Sequence, residues 1–149
     1  MLHEIGKCYL QLGEMQKALD ITSEALSITR EVGDRREEAT ILHTIGTIYM
    51  SSGEARKALS KYNESLAIAR AIGDRSGEAF TLSSIGDAYF SLGDLQKALE
   101  KHNEALLISR AMGKRRGEAL ALHYIGRVYN SLGERRKALE NFNEALSIC

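Results

Sequence analysis

Apolar residues recur along the chain at the i, i+3, i+4, i+7 spacing of helices that lie on a core, and the whole pattern returns every 40 residues. In the second copy Leu42, Ile45, Gly46 and Tyr49 form one stripe, which Gly53 closes. A second stripe starts at Glu54 and runs to about Ile72, with Ala58, Tyr62, Ser65 and Ala69 on one face and Leu59 and Leu66 beside them. Gly73 stops it, as a glycine just past a helix does. Asp74 then offers a carboxylate to the free N–H groups of the next helix. Gly33-Asp34 repeats this punctuation, whereas Gly113-Lys114 keeps the glycine and loses the cap. Each unit therefore reads as two helices, and the first helices of units two to four are predicted to begin near residues 36, 76 and 116.

The copies align without insertions: Gly6, Gly46, Gly86 and Gly126; Tyr9, Tyr49, Tyr89 and Tyr129; Gly13, Gly53, Gly93 and Gly133; Ala18, Ala58, Ala98 and Ala138. One helical pair cannot bury both of its faces, so each pair must stack on the next. The expectation is an all-α solenoid of four helix-turn-helix units, approximately residues 1–35, 36–75, 76–115 and 116–149, forming one array over residues 1–149. Small residues at Gly46 and Ala58 let paired helices approach, with Tyr49 and Tyr62 filling the gaps. His102 stands where the other repeats carry Tyr62 and Phe142, which places it in the helix interface.

Composition agrees with the pattern. The chain has no proline or tryptophan and is rich in helix formers. Its 20 basic and 20 acidic side chains balance, so no global field gathers nucleic acid or an anionic membrane. Residues 1–74 carry 9 basic and 11 acidic side chains, residues 75–149 carry 11 and 9, and the second half is slightly positive. No stretch approaches the roughly 20 apolar residues of a membrane span. The start "MLHEIGKCYLQLGE" lacks the basic and apolar segments of a secretion signal, and two cysteines too far apart to pair, Cys8 and Cys149, suit a reducing compartment. A cytoplasmic protein is expected.

The order Leu-x-x-Ile-Gly-x-x-Tyr, then Gly, then Ala, then an aromatic and a small residue resembles the tetratricopeptide repeat over the whole chain. Two features depart from it: a period of 40 rather than the usual ~34 residues, and the missing proline at the end of the second helix. The 40-residue unit with "IGDR" linkers is similar to repeats of G-protein-signalling modulators and of arrays attached to bacterial caspase-like domains. The resemblance implies an α-α superhelix whose first helices line a concave groove that holds a peptide. The family's known groove codes are absent. The positions of the chaperone-tail clamp hold His43, Thr47, Ser84, Leu120 and Tyr124, and the asparagine that signalling modulators place after the first-helix glycine is replaced by Lys7, Thr47, Asp87 and Arg127.

Helical geometry selects the side chains that would face such a groove. Opposite the apolar stripe of the second unit lie Thr40, His43, Thr47 and Met50. The equivalent sets are Phe80, Ser83, Asp87 and Phe90, then Leu120, His123, Arg127 and Asn130, with His3, Lys7 and Leu10 in the first unit. Met50, Phe80, Phe90 and Leu120 are apolar at positions that packing within the array need not use, and a contiguous strip of that kind suggests a partner. The competing expectation is that Phe80 and Leu120 tuck against the preceding unit. Arg127 and the positive second half favour an acidic stretch in the partner.

Other chemistries find little support. His3, His43 and His123 share one repeat position, but no cysteine or carboxylate completes a zinc set, and no metal or cofactor is expected. No nucleophile–base pair, phosphate loop or carboxylate pair stands out, so no enzyme is expected. Glu24, Glu64, Glu104 and Glu144 read as charge partners on helix surfaces. "GKRRGE" and "GERRKAL" are interspersed with glutamate and read as solvated surface rather than a nucleic-acid site. Two functions remain: a module that binds a peptide or helix of another protein, and a structural element that associates end to end with its own copies. For the second, Ala138, Phe142, Ala145 and Leu146 are expected to pack inward, and Phe142, Leu146 and Cys149 to form an edge that another copy covers.

Overall fold

A computed structural model describes residues 2–148, the side chain of His3 excepted. Among the described residues there are eight α-helices: α1 (Leu2–Gln11), α2 (Met15–Val32), α3 (Arg35–Ser51), α4 (Ala55–Ala71), α5 (Arg75–Ser91), α6 (Leu95–Ala111), α7 (Arg115–Ser131) and α8 (Arg135–Ile148). They fall into two compact units, one built from α1–α4 within residues 1–74 and one from α5–α8 within residues 75–149. The first helices of repeats two to four begin one residue before the positions read from the pattern.

The punctuation works as its chemistry requires. Gly33 adopts φ 80°, a left-handed conformation that costs little only at glycine, and its N–H donates to the Thr29 carbonyl. The carboxylate of Asp34 then accepts from the Glu37 N–H at 3.0 Å and caps α3. Lys114 occupies the same place before α7 and makes no side-chain cap, because an ammonium group can only donate.

In the first unit Ala25 and Leu26 of α2, Ala39, Ile41, Leu42 and Ile45 of α3, and Ile68 of α4 make one core. In the second, Leu106 of α6, Ala121, Leu122 and Ile125 of α7, and Ala145 of α8 do the same. Each large aliphatic side chain taken fully from water stabilises by about 1.5–3 kcal/mol. Within a repeat, the lysine that begins the second helix covers the tyrosine of the first: Lys57 lies 5.5 Å from the Tyr49 ring centre, and Lys137 lies 5.3 Å from that of Tyr129. The same lysines pair with Glu54 and Glu134 three residues earlier.

Within each unit the two repeats are also tied by an arginine at the end of the second helix. Arg30 donates from Nε to Glu38 at 2.9 Å and stands 3.5 Å from Glu64. Arg110 does the same with Glu118 at 2.7 Å and Glu144 at 2.5 Å. Glu64 and Glu144 thus bridge repeats as well as decorating a helix, while Lys61 holds Glu64 locally at 2.8 Å.

Candidate partner-binding face

The residues that helical geometry assigns to the outer stripe of α5 and α7 lie at the surface of the second unit. Phe80 is 61% exposed and Leu120 45%, so both side chains reach the surface. The two first helices and the end of α6 enclose a cleft of about 700 Å³ whose lining includes Phe80, Ser83, Asp87, Met112, Leu120 and Tyr124. Lys114, Arg115 and Arg116 edge the same cleft. Met112, Tyr124 and these three cations were not among the sequence candidates, because their place depends on where α6 ends against α7.

Beneath the cleft lies His102 of α6, only 1% exposed, its ring stacked on Tyr124 with centres 5.0 Å apart and planes 14° from parallel. A Cβ on Gly86 would stand 2.6 Å from that ring, so the glycine is what admits it. His102 Nδ1 has no hydrogen-bond partner among the described residues. Its Nε2 stands 3.8 Å from Asp87 Oδ1, beyond hydrogen-bond length. Burial lowers the His102 pKa to about 4, helped by Arg127, and raises that of the Asp87 carboxyl to about 6, against the pull of Arg127. At neutral pH the aspartate is therefore charged and the histidine is not.

Phe90 is half-buried, and Arg127 lies over it at 5.1 Å from the ring centre and over Tyr124 at 5.6 Å. The guanidinium is thus held on two aromatic faces rather than standing free. His123 and Asn130 are exposed. His123 rests against the rings of Phe142 and Tyr124, at 5.5 and 5.9 Å between centres.

The corresponding face of α3 is spent largely on its own unit. Thr40 is exposed and donates to the Arg36 carbonyl at 3.1 Å. Thr47 donates to the His43 carbonyl at 3.1 Å and lies 3.3 Å from the Tyr62 hydroxyl. His43 packs on Tyr62 with ring centres 5.0 Å apart, and burial lowers its pKa to about 4. Met50, Lys7 and Leu10 are half-buried.

A second cleft, of about 790 Å³, lies between α7 and α8 and brings Phe142 and Leu146 together with Leu120, His123, Ala145 and Ile148. Ala138 and Ala145 pack inward, but Leu146 does not: it is 72% exposed, whereas its repeat equivalent Leu106 is 5% exposed beneath Ala121 and Leu122 of α7. No described helix plays the part of α7 for Leu146. Cys149 lies outside the described residues. Among the described residues no group of three or more histidine, cysteine or acidic side chains could hold a metal ion, and no helix is long and apolar enough to cross a membrane.

Comparison with known proteins bears on the fold. The chain is similar to BtubC (BKLC) from P. vanneervenii, with a TM-score of 0.89 at 23% identity over 99% of this chain and 61% of that one. It is similar to the apo form of RapI, with a TM-score of 0.90 at 20% identity over 99% of this chain and 54% of that one. A Rap protein complexed with Competence and Sporulation Factor gives 0.88 at 20% identity over 99% of this chain and 41% of that one. The chain thus spans less than two thirds of each of these relatives. No curated protein matches its sequence. The sequence profile of the tetratricopeptide repeat, however, matches residues 1–71 and again 73–149, and with its paired helices and 40-residue period the chain belongs to the tetratricopeptide-repeat family.

Proposed function

We propose that the chain is a non-catalytic interaction module, one array of four repeats, that holds an extended or helical segment of another protein against its first helices. The observation that carries this is the α5–α7 cleft, where Phe80 and Leu120 are exposed one repeat apart on the same face. Apolar side chains arranged around a concavity of this size are the usual lining of a binding site. Lys114, Arg115 and Arg116 at the edge support an acidic residue in the segment. A similar fold complexed with Competence and Sporulation Factor is a precedent for a partner held by such an array. The exposed free thiol of Cys8 suits a reducing, cytoplasmic setting. Affinity capture on the folded chain, followed by titration of the purified partner, tests the proposal. Phe80→Asp should weaken a genuine partner at least about tenfold, and an unchanged Kd would exclude this face.

A second reading, association of copies through the α7–α8 face, is favoured by the apolar cleft in which Leu146 stands exposed. Sedimentation over a range of concentrations tests it.

A further inference from the structure

Asp87 brings a carboxylate into an apolar cleft with little in its own chain to satisfy it. At the equivalent place on α3, Thr47 has both the His43 carbonyl and the Tyr62 hydroxyl within hydrogen-bond reach. Among the described residues Asp87 has no such bond: its neighbour in the place of Tyr62 is His102, neutral and 3.8 Å away. The cation nearest in character, Arg127, is spread over Phe90 and Tyr124. A carboxylate that is part-desolvated and accepts no strong donor gains more from an incoming cation than one in water does.

We propose that the α5–α7 cleft is a recognition site for a basic side chain, an arginine or lysine of the partner segment, with Asp87 as its counter-ion and Phe80 and Leu120 packing its aliphatic stem. The proposal rests on the interaction-module reading above and sharpens it. The cations at the edge, Lys114, Arg115 and Arg116, repel a uniformly basic segment, so the side chain that enters is flanked by acidic ones. The floor and rim of the cleft together select a segment of mixed charge, basic in the middle.

The groups facing Asp87 are His102 from α6 and Tyr124 and Arg127 from α7. His102 is neutral down to about pH 4 and Tyr124 is raised by burial, so of these groups Asp87 is the one that changes state near pH 6. Binding of the basic side chain should weaken as pH falls through that value.

The test uses three acetylated, amidated pentapeptides, Glu-Leu-Xaa-Leu-Glu, with arginine, glutamine or glutamate at the centre, titrated into the ¹⁵N-labelled chain. The expected result is that the arginine peptide shifts the amides of Ser83, Asp87 and Tyr124 and binds at least about tenfold tighter than the glutamine peptide. Asp87→Asn should reduce that advantage to below about twofold, and Asp87→Glu should retain part of it. Lowering the pH from about 7.5 to about 5 should erode it in the unaltered chain and leave the Asp87→Asn protein unaffected. If arginine and glutamine peptides bind the cleft equally, or the glutamate peptide binds best, the role of Asp87 is overturned while the cleft stands as a binding face. If no peptide shifts these amides, the cleft is not this site. Capture of a partner that Phe80→Asp abolishes would then still uphold the interaction module on its own.

Discussion

The edge of the Phe142 ring occupies the space that a side chain at Gly126 would need: a Cβ there would stand 2.5 Å from Phe142 Cε1. The same relation holds between Gly46 and Tyr62 at 2.5 Å and between Gly86 and His102 at 2.6 Å. In repeats two to four the ring of the second helix rests directly on the backbone of the first, and in the first repeat Thr22 stands against Gly6 in its place. A mid-helix glycine costs about 1 kcal/mol relative to alanine, and burial of the ring offsets it.

Gly126→Ala should therefore destabilise despite its better helix propensity. The added methyl group must displace a ring held between two helices, which costs about 1–3 kcal/mol. Urea or thermal unfolding measures it. In a Phe142→Ala background, where the space is empty, the same change should be neutral or stabilising, so the two effects are not additive. A Gly126→Ala protein that melts no lower than the parent would mean that the ring can move aside freely.

The arginine ties between repeats differ in what they leave behind when broken. Glu38 has a side chain only 7% exposed and is held by Arg30 at 2.9 Å and Arg35 at 2.5 Å. Glu118, bound by Arg110, is 22% exposed. Arg30→Gln strips a partner from a buried carboxylate and should cost about 1–3 kcal/mol. Arg110→Gln leaves groups that water can reach and should cost about 0.5–1 kcal/mol. The Arg30 hydrogen bond holds the Glu38 carboxyl below its ordinary value, so its stabilisation is present above that value and is lost as pH falls through the lowered one. Arg30→Gln should accordingly flatten the acid limb of a stability–pH curve. Equal losses in the two variants would show that burial of Glu38 is not what matters.

The helices, the Asp34 cap and the glycine–ring contacts were legible in the sequence because each joins residues of one repeat or of the short turn between two, and the 40-residue period shows which of them recur. The outward face of Phe80 and Leu120 was legible for the same reason, by subtracting the stripe that packs. The Arg30–Glu38 and Arg110–Glu118 ties recur at the same period and could have been read, but their partners lie on successive helices and look like ordinary surface charge. Arg127 was read as a free charge because nothing in its own helix shows that Phe90, on another, lies beneath its guanidinium. Leu146 shares the repeat position of the buried Leu106, so periodicity alone assigns it to the interior. Its exposure follows from what stands beside it, which a repeat position does not encode.

His102 should make the protein acid-labile. Its pKa falls from the ordinary value near 6.5 to about 4 on folding, so between those values the unfolded chain binds a proton that the folded one refuses. Stability is full above about pH 6.5 and is lost as the pH falls, by up to about 3 kcal/mol for this group. His43 acts in the same direction. Asp87 opposes both: its raised pKa lets the folded state take up a proton first, so its contribution grows as pH falls through about 6. His102→Phe, which installs the residue type of Phe142, removes a buried nitrogen without a partner. It should raise stability at pH 7.5 by about 1 kcal/mol and shrink the fall in Tm between about pH 7.5 and pH 5. If that fall is as large in the variant as in the parent, the buried imidazole is not its source.

Leu120 belongs to both clefts of the second unit, whereas Phe80 lines only the α5–α7 cleft and Leu146 only the α7–α8 cleft. That arrangement separates the two functions that the chain could serve. All three side chains are exposed, at 61% for Phe80, 45% for Leu120 and 72% for Leu146, so an aspartate at any of them should alter stability by no more than about 0.5 kcal/mol. Leu122→Ala, at a side chain with 2% exposure, should by contrast cost about 2–5 kcal/mol. With folding intact, Phe80→Asp should abolish capture of a partner segment and leave sedimentation unchanged. Leu146→Asp should leave capture unchanged and remove any concentration-dependent association. Leu120→Asp should impair both. A partner that binds all three variants as it binds the parent would place recognition on the other face of the helices, and association that survives Leu146→Asp would exclude the α7–α8 cleft as the surface where copies meet.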